Sequence, residues 1–326
     1  MIVPNHWAEA RTSIRVNGRS LTLRRFGWSD DSPEDAQAQA ELRVAEAAQR
    51  AASGERVPRR DLKLAYNGAE GVPIREEVMA RHGEAVITRN IYGARCLNVP
   101  DLMIADVDFA THLTLWVRVV IRLAAMAIAA PLIAMGGSWQ TWVAGVLVLL
   151  FGPSALRFAL LQVQSRWLRP PAEEAVQRVR RFVSQHTGWR IRVYRTPAGL
   201  RLIATHAPLS PSSNEVRQFF DAVGADPVYV RMCLHQHCFR ARLSAKPWRI
   251  GIGDHLKPRP GVWPIRAERM PQRAAWVARY EQAAAGYAAC HYQETLGTGA
   301  EDARLQALVD LHDSESKALR HELALA

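Results

Sequence analysis

Asp106 and Asp108 stand one residue apart in LMIADVDF, residues 102 to 109. The apolar residues before them read as a strand. Side chains on a strand alternate with a period of two, so both carboxylates fall on one face. Their Cα atoms would lie about 6–7 Å apart, and oxygens so placed can hold one or two divalent cations, Mg²⁺ or Mn²⁺. Metals held in this way bridge the oxygens of a diphosphate or triphosphate during group transfer. The alternative is a pair of solvated acids at a strand end.

A second candidate is RVYRTPAGLRLIATH, residues 192 to 206. A Thr-Pro-Ala-Gly turn joins two strands and is surrounded by Arg192, Arg195 and Arg201. Turn amides near Thr196 and Gly199, together with guanidiniums, make a phosphate cradle; a plain hairpin with a basic face has the same sequence. Further on, Arg240, Arg242, Lys246 and Arg249 alternate with Phe239 and Trp248 in FRARLSAKPWR. Such a basic surface suits single-stranded nucleic acid, through phosphate contacts and base stacking. It suits anionic lipid headgroups equally well, at roughly 1 kcal/mol per cation near the leaflet. Between Ala175 and Arg249 there are 13 Lys and Arg against 3 Asp and Glu, nearly the whole surplus of a chain whose net charge is +11. Partners of this half should therefore be anionic. In CLHQHC, read as a strand, Cys233, His235 and His237 would share a face, but the spacing fits no common zinc module.

The elements that must position these groups are mixed. SIRVNGRSLTLRRF alternates around Asn17-Gly18, a hairpin dipeptide. Ser32 and Pro33 open a helix over SPEDAQAQAELRVAEAAQRAAS, with Glu34 and Asp35 in its first turn. GVPIREEVMARHG reads as a short helix stopped by Gly83, and the strands AVITRNI, RCLNV and LMIADVDF follow. After residue 170 come a helix, two strands around Pro197-Ala198-Gly199, a helix capped by Ser212 with Glu215 at capping-box spacing, and a further strand pair at VYVRMC and CFRARLSAKPWRI. KPRPGVWP is a loop, and TLGTGAED a loop between C-terminal helices.

From Leu123 to Leu156 there is no charged residue. One straight helix of that length would span roughly 50 Å, beyond a hydrocarbon core of about 30 Å. The break GGSWQ at 136 to 140 therefore predicts two helices, about 115–135 and about 139–162. Arg118, Arg122 and Arg157 would snorkel to the interfaces, with Trp116, Trp139, Trp142 and Trp167 at the aromatic belts. Pro131 is tolerable inside such a helix. Arg166, Arg169, Arg178, Arg180 and Arg181 follow the hairpin, and its turn has no Lys or Arg. The positive-inside rule then predicts a two-pass protein of the inner, cytoplasmic membrane with both termini cytoplasmic. No N-terminal leader is legible, and four scattered cysteines make no disulfide framework.

The expected fold class is thus α+β: a cytosolic sheet-and-helix domain interrupted by a transmembrane helical hairpin. Its boundaries are 1–113 and 169–265 for the two parts of that domain, 114–168 for the hairpin, and 266–326 for an α-helical C-terminal region. Strands on either side of the hairpin would complete one sheet.

Two motifs resemble the archaeo-eukaryotic primase-like superfamily, over about residues 85 to 255. IADVDF resembles its strand ending in Asp-x-Asp, and RTPAGLRL resembles its glycine-containing strand turn. Arg201 stands where that family often has a nucleotide-binding histidine. Asp221, Asp226 and Asp254 are candidates for its third acid. The resemblance implies nucleotide or nucleic-acid binding, with metal-dependent nucleotidyl or phosphoryl transfer if the chain is an enzyme. The competing expectation is a non-enzymatic membrane-anchored module that docks on anionic lipid or a protein partner. A sugar transferase would need a nucleotide-sugar site that is not legible, and no P-loop, GxSxG or HExxH motif is present.

Overall fold

The computed structural model describes residues 3–16, 18–61, 72–109, 115–134, 138–167, 170–259 and 263–326, without the side chains of residues 115, 117, 118 and 160–167. The chain forms a mixed α+β structure divided into two compact units. One unit joins residues 1–107 to 179–326, and the other is 108–178.

In the larger unit, β1 (His6–Val16) and β2 (Arg19–Ser29) pair antiparallel, Val16 opposite Arg19, with Gly18 at φ +74°. Asn17 lies outside the described residues. α1 (Pro33–Ala52) begins as its residues dictate: the Ser32 side chain accepts from Asp35 N, and Pro33 takes the first helical position. Its buried stripe, Ala36, Ala40, Val44, Ala47 and Ala51, packs on Leu23 and Ala10. Gly27 makes the approach possible, because a Cβ there would sit 2.1 Å from the carbonyl oxygen of Ala36.

β3 (Glu77–His82), β4 (Ala85–Arg89), β5 (Arg95–Val99) and β6 (Ile104–Asp108) follow. Residues 77–82 are a strand where the sequence suggested a helix. Gly83, taken as a helix stop, is at φ +61° in the turn of a hairpin that sets His82 opposite Ala85.

The smaller unit carries α2 (Leu115–Ala134) and α3 (Trp139–Trp167). Ile121, Ala125 and Ala129 are buried between them. A Cβ on Gly145 would lie 2.5 Å from Ile133 Cγ1 and 3.2 Å from the Ala129 carbonyl, and one on Gly152 would lie 3.8 Å from Ala125 Cβ. Contacts that descend α2 as they ascend α3 make the pair antiparallel. The large apolar residues face outward: Trp116, Trp139, Leu150, Phe151 and Phe158 are all exposed. Among the described residues one helix is long and apolar enough to cross a membrane, Trp139–Ala159 within α3. Only Val119–Ala134 of α2 is apolar, a stretch too short for the same test. The expectation of two spanning helices therefore falls to one by length and composition. The hairpin turn, residues 135–137, together with Arg169 and the side chains of Arg118, Arg166 and Trp167, lies outside the described residues.

α4 (Pro171–Gln185), β7 (Ile191–Arg195), β8 (Gly199–Ala204), α5 (Asn214–Val223), α6 (Pro227–Gln236) and β9 (Phe239–Arg242) come next. The α5 cap is Ser213, one residue after the expected Ser212. α6 replaces the strand read at VYVRMC. Asp226 accepts from the amides of Val228 and Tyr229, and Pro227 opens the helix, so the cap overrides the β-branched residues. α7 (Met270–Ala284), β10 (Tyr287–Ala288), β11 (His291–Leu296), α8 (Ala303–Ser316) and β12 (Ala324–Leu325) complete the chain. The C-terminal region is thus not wholly helical: β11 is a sheet edge and β10 pairs with β12.

Two four-stranded sheets organise this unit, in the orders β11-β7-β8-β6 and β3-β4-β5-β9. Each combines strands from before residue 108 with strands from after 178. Phe182, Trp189 and Phe219 stack beside the first sheet, and every residue of β8 is buried.

Candidate anion-binding site

The sheet brings Asp106 of β6 to Arg201 of β8. Arg201 Nε donates to Asp106 Oδ1 at 3.0 Å, and its Nη1 donates to the Arg242 carbonyl at 2.9 Å. Burial opposes the Arg201 charge, but Asp106 beside it outweighs burial, and the guanidinium holds its proton more tightly than usual. Arg201 is 1% exposed, so it is a structural counter-ion and not an open phosphate ligand. A carboxylate neutralised in this way is a poor partner for a divalent cation. Among the described residues no group of three or more His, Cys, Asp or Glu is placed to hold a metal. Asp106 Oδ1 is committed to Arg201 in this structure. Asp108 ends β6 exposed.

Arg201 also faces His312 Nε2 at 3.3 Å, and His312 Nδ1 lies 2.9 Å from Asp313 Oδ1. An ionised Asp313 accepts from His312 Nδ1, and that bond orients the imidazole. Arg192 Nη2 reaches Asp313 Oδ2 at 2.6 Å, and its Nε donates to Tyr194 Oη at 2.7 Å. Burial alone would raise the Asp313 carboxyl, but its bond to His312 and the Arg192 charge hold it below the ordinary range. Cys290 Sγ is 3.9 Å from His312 Nε2. Burial pushes the thiol up, and His312 and Arg201 reverse that and hold it low. Cys290, His312 and Asp313 stand in the order of nucleophile, base and orienting acid. All three are buried, and the thiol is closed to a substrate.

The 196–199 turn satisfies itself. Thr196 N donates to the Gly199 carbonyl, Gly199 N donates to Thr196 Oγ1, both at 3.0 Å, and Arg195 Nη1 donates to the same carbonyl at 3.1 Å. The amides of Thr196 and Gly199 are therefore both taken within the turn. The expected basic surface is also not one face. Arg240 is buried and bonded to Glu76 at 2.6 Å. Arg242 donates to the carbonyls of Ser244 and Ala326. Lys246 lies over Trp248 and Arg249 is half-buried. Nor does CLHQHC form a ligand face: Cys233 and His235 are on α6, and His237 is its left-handed C-cap.

A cationic cleft opens elsewhere in the same unit, with a volume of about 440 Å³. Arg11 and Arg24 come from the β1–β2 hairpin, Arg60 from the loop after α1, and Arg75 from the segment before β3. Arg259, Arg266 and Arg269 come from the segment between β9 and α7. Among the described residues Glu9 is the one acid on its wall, and it pairs with Arg11 at 2.6 Å and Arg24 at 3.3 Å. Asp61 fastens the Arg60 loop to β2: it accepts from Phe26 N at 3.0 Å and from Arg43 Nη2 at 3.1 Å. Arg75 lies flat on Phe26, its Cζ 3.5 Å from the ring centroid, and makes no ion pair among the described residues. Burial pushes its pKa down to about 10, so it remains charged at neutral pH without a direct counter-ion.

Sequence reading missed this cleft because its arginines are scattered from residue 11 to residue 269 and no short window holds them. The one local signal is the density of Arg, Pro and Trp in RPGVWPIRAER, residues 259–269, of which 260–262 lie outside the described residues. Comparison of the chain with family models, with curated proteins and with solved structures finds no match.

Proposed function

We propose that this is a membrane-anchored protein whose α+β body binds a phosphorylated ligand in the cleft between Arg11, Arg24, Arg75 and Arg266. The observation that carries the reading is that, among the described residues, seven guanidiniums and a single carboxylate surround one cavity. Such a wall is costly to assemble without an anion, because like charges in a partly dehydrated cleft repel. Guanidiniums are the groups that grip phosphate oxygens two at a time. Nucleotides fall within this class, and so do phosphorylated lipid headgroups.

The anchor in this reading is α3, with α2 returning beside it. Small residues face inward and large apolar ones outward, the reverse of a soluble core and the arrangement suited to lipid. Arg122 would sit near one interface, and the Ser138 turn would face out. This reading assigns Asp106 a structural role, because its carboxylate is committed to Arg201.

Two measurements test it. Protein purified in nonionic detergent should be stabilised against heat by phosphorylated compounds, and Arg24→Gln/Arg75→Gln should lose that response. Stabilisation by none of a panel of nucleotides and inorganic phosphates would sink the ligand half. Ser138→Cys should be labelled by an impermeant thiol reagent only from outside the cell, and labelling from the cytoplasm alone would sink the anchor half.

A further inference from the structure

We infer that the cleft takes a compact polyanion carrying three or more phosphate groups, recognised by its charge and not by a base. This rests on the phosphate-binding reading above and names its ligand.

Charge is the first argument. Glu9 already answers Arg11 and Arg24, so the remaining guanidiniums need the charge of several phosphates. A single phosphate carries at most two negative charges near neutral pH and engages one or two arginine forks. A cavity of about 440 Å³ has the size of a small-molecule site.

The state of the aromatic walls is the second. A base would need a ring face to stack on, and among the described residues the three rings lining the cleft each already have a neighbour. Phe26 carries Arg75 at 3.5 Å and Arg24 at 5.5 Å. Trp263 carries Arg273 at 5.6 Å, and Trp7 leans on Trp28 at 5.7 Å. Phe26 holds the Arg24 and Arg75 guanidiniums in place, as cation–π contacts do. The spare donors point the same way. Trp7 Nε1 is buried with no hydrogen-bond partner among the described residues, and Arg75 lacks an ion pair. Both suit a ligand that presents acceptors only.

The test is calorimetric titration of the full-length protein in nonionic detergent at constant ionic strength, with pyrophosphate, tripolyphosphate, inositol trisphosphate and ATP. Affinity should rise about tenfold or more from pyrophosphate to tripolyphosphate, and the nucleoside of ATP should add less than about threefold over tripolyphosphate. Arg75→Gln should weaken tripolyphosphate about tenfold, and so should the solvent-facing pair Arg266→Gln/Arg269→Gln, whose folding is not at risk. Tighter binding of inositol trisphosphate than of tripolyphosphate assigns a lipid-type headgroup, and the reverse assigns a free phosphate chain; either supports the proposal. ATP binding without tripolyphosphate binding would overturn the ligand class while leaving the cleft as the phosphate site. Failure of every anion to bind, or binding indifferent to both variants, would overturn the two readings together.

Discussion

Arg201 reaches across from β8 to place its Nε 3.0 Å from Asp106 Oδ1, the guanidinium enclosed and the carboxylate at the rim. Removing the acid leaves a buried cation facing the Arg242 carbonyl and the His312 imidazole. Asp106→Asn should therefore lower stability by about 1–2 kcal/mol, less than for a fully buried pair because water reaches the carboxylate. The thermal midpoint in detergent reads this out, and an unchanged midpoint would mean that the pair contributes nothing.

Glu76 and Arg240 make the stronger case, since both ends are buried. Thr88 Oγ1 also donates to Glu76 at 2.7 Å. Glu76→Leu should cost about 3–5 kcal/mol by stranding Arg240, while Glu76→Leu/Arg240→Met should cost much less than Glu76→Leu and Arg240→Met added together. Denaturant titration of the four proteins of this cycle checks it. Simple additivity would show that the two side chains do not couple.

Asp313 sets a pH dependence. Its folded pKa lies below the ordinary value of about 3.9, so its contribution to stability is complete above that value and is lost as pH falls through the folded pKa. The native protein should lose stability in a window below about pH 4, and Asp313→Asn should flatten the curve there while lowering the plateau near neutrality. A variant curve parallel to the native one throughout would remove Asp313 from the account.

Gly145 touches Ile133 and Ala129 with no room for a larger side chain. Gly145→Leu should separate α2 from α3 and cost about 1–3 kcal/mol. The check is loss of a crosslink engineered between cysteines elsewhere along the two helices. A crosslink formed as efficiently as in the parent would mean that the contact is dispensable.

Glu9→Gln should tighten polyanion binding, by about two- to fivefold per removed charge at low salt. It should also steepen the fall of affinity with added salt. Weaker binding would indicate that Glu9 holds Arg11 and Arg24 in position more than it neutralises them.

What the sequence made legible follows from where each signal resides. The α1 cap at Ser32-Pro33, the α2–α3 break and the hairpins at Gly18 and Gly199 are written in neighbouring residues, and local chemistry suffices to read them. Gly83 and VYVRMC mislead because a glycine that stops a helix also turns a hairpin, and a strand-like run becomes a helix once Asp226 caps it. Site charges were misjudged for a different reason. The excess of cations between 175 and 249 looked like a surface, yet Arg192, Arg201 and Arg240 find Asp313, Asp106 and Glu76, each about 95 residues away or more. The cleft has the opposite history: its arginines are unremarkable one by one and concentrate only in the folded chain.

The two sheets carry an implication for how the protein is made. β6 waits for β8, and β5 waits for β9, so the two sheets cannot join their halves until the ribosome has passed Ala204 and Arg242 respectively. α2 and α3 are synthesised before either point. The apolar helices must therefore find their environment while the flanking strands are still unpaired, and folding of the body becomes the later event in biogenesis. Slowing elongation after residue 167 should then leave the helices placed and the body protease-sensitive, which turns the order of synthesis itself into a determinant of assembly.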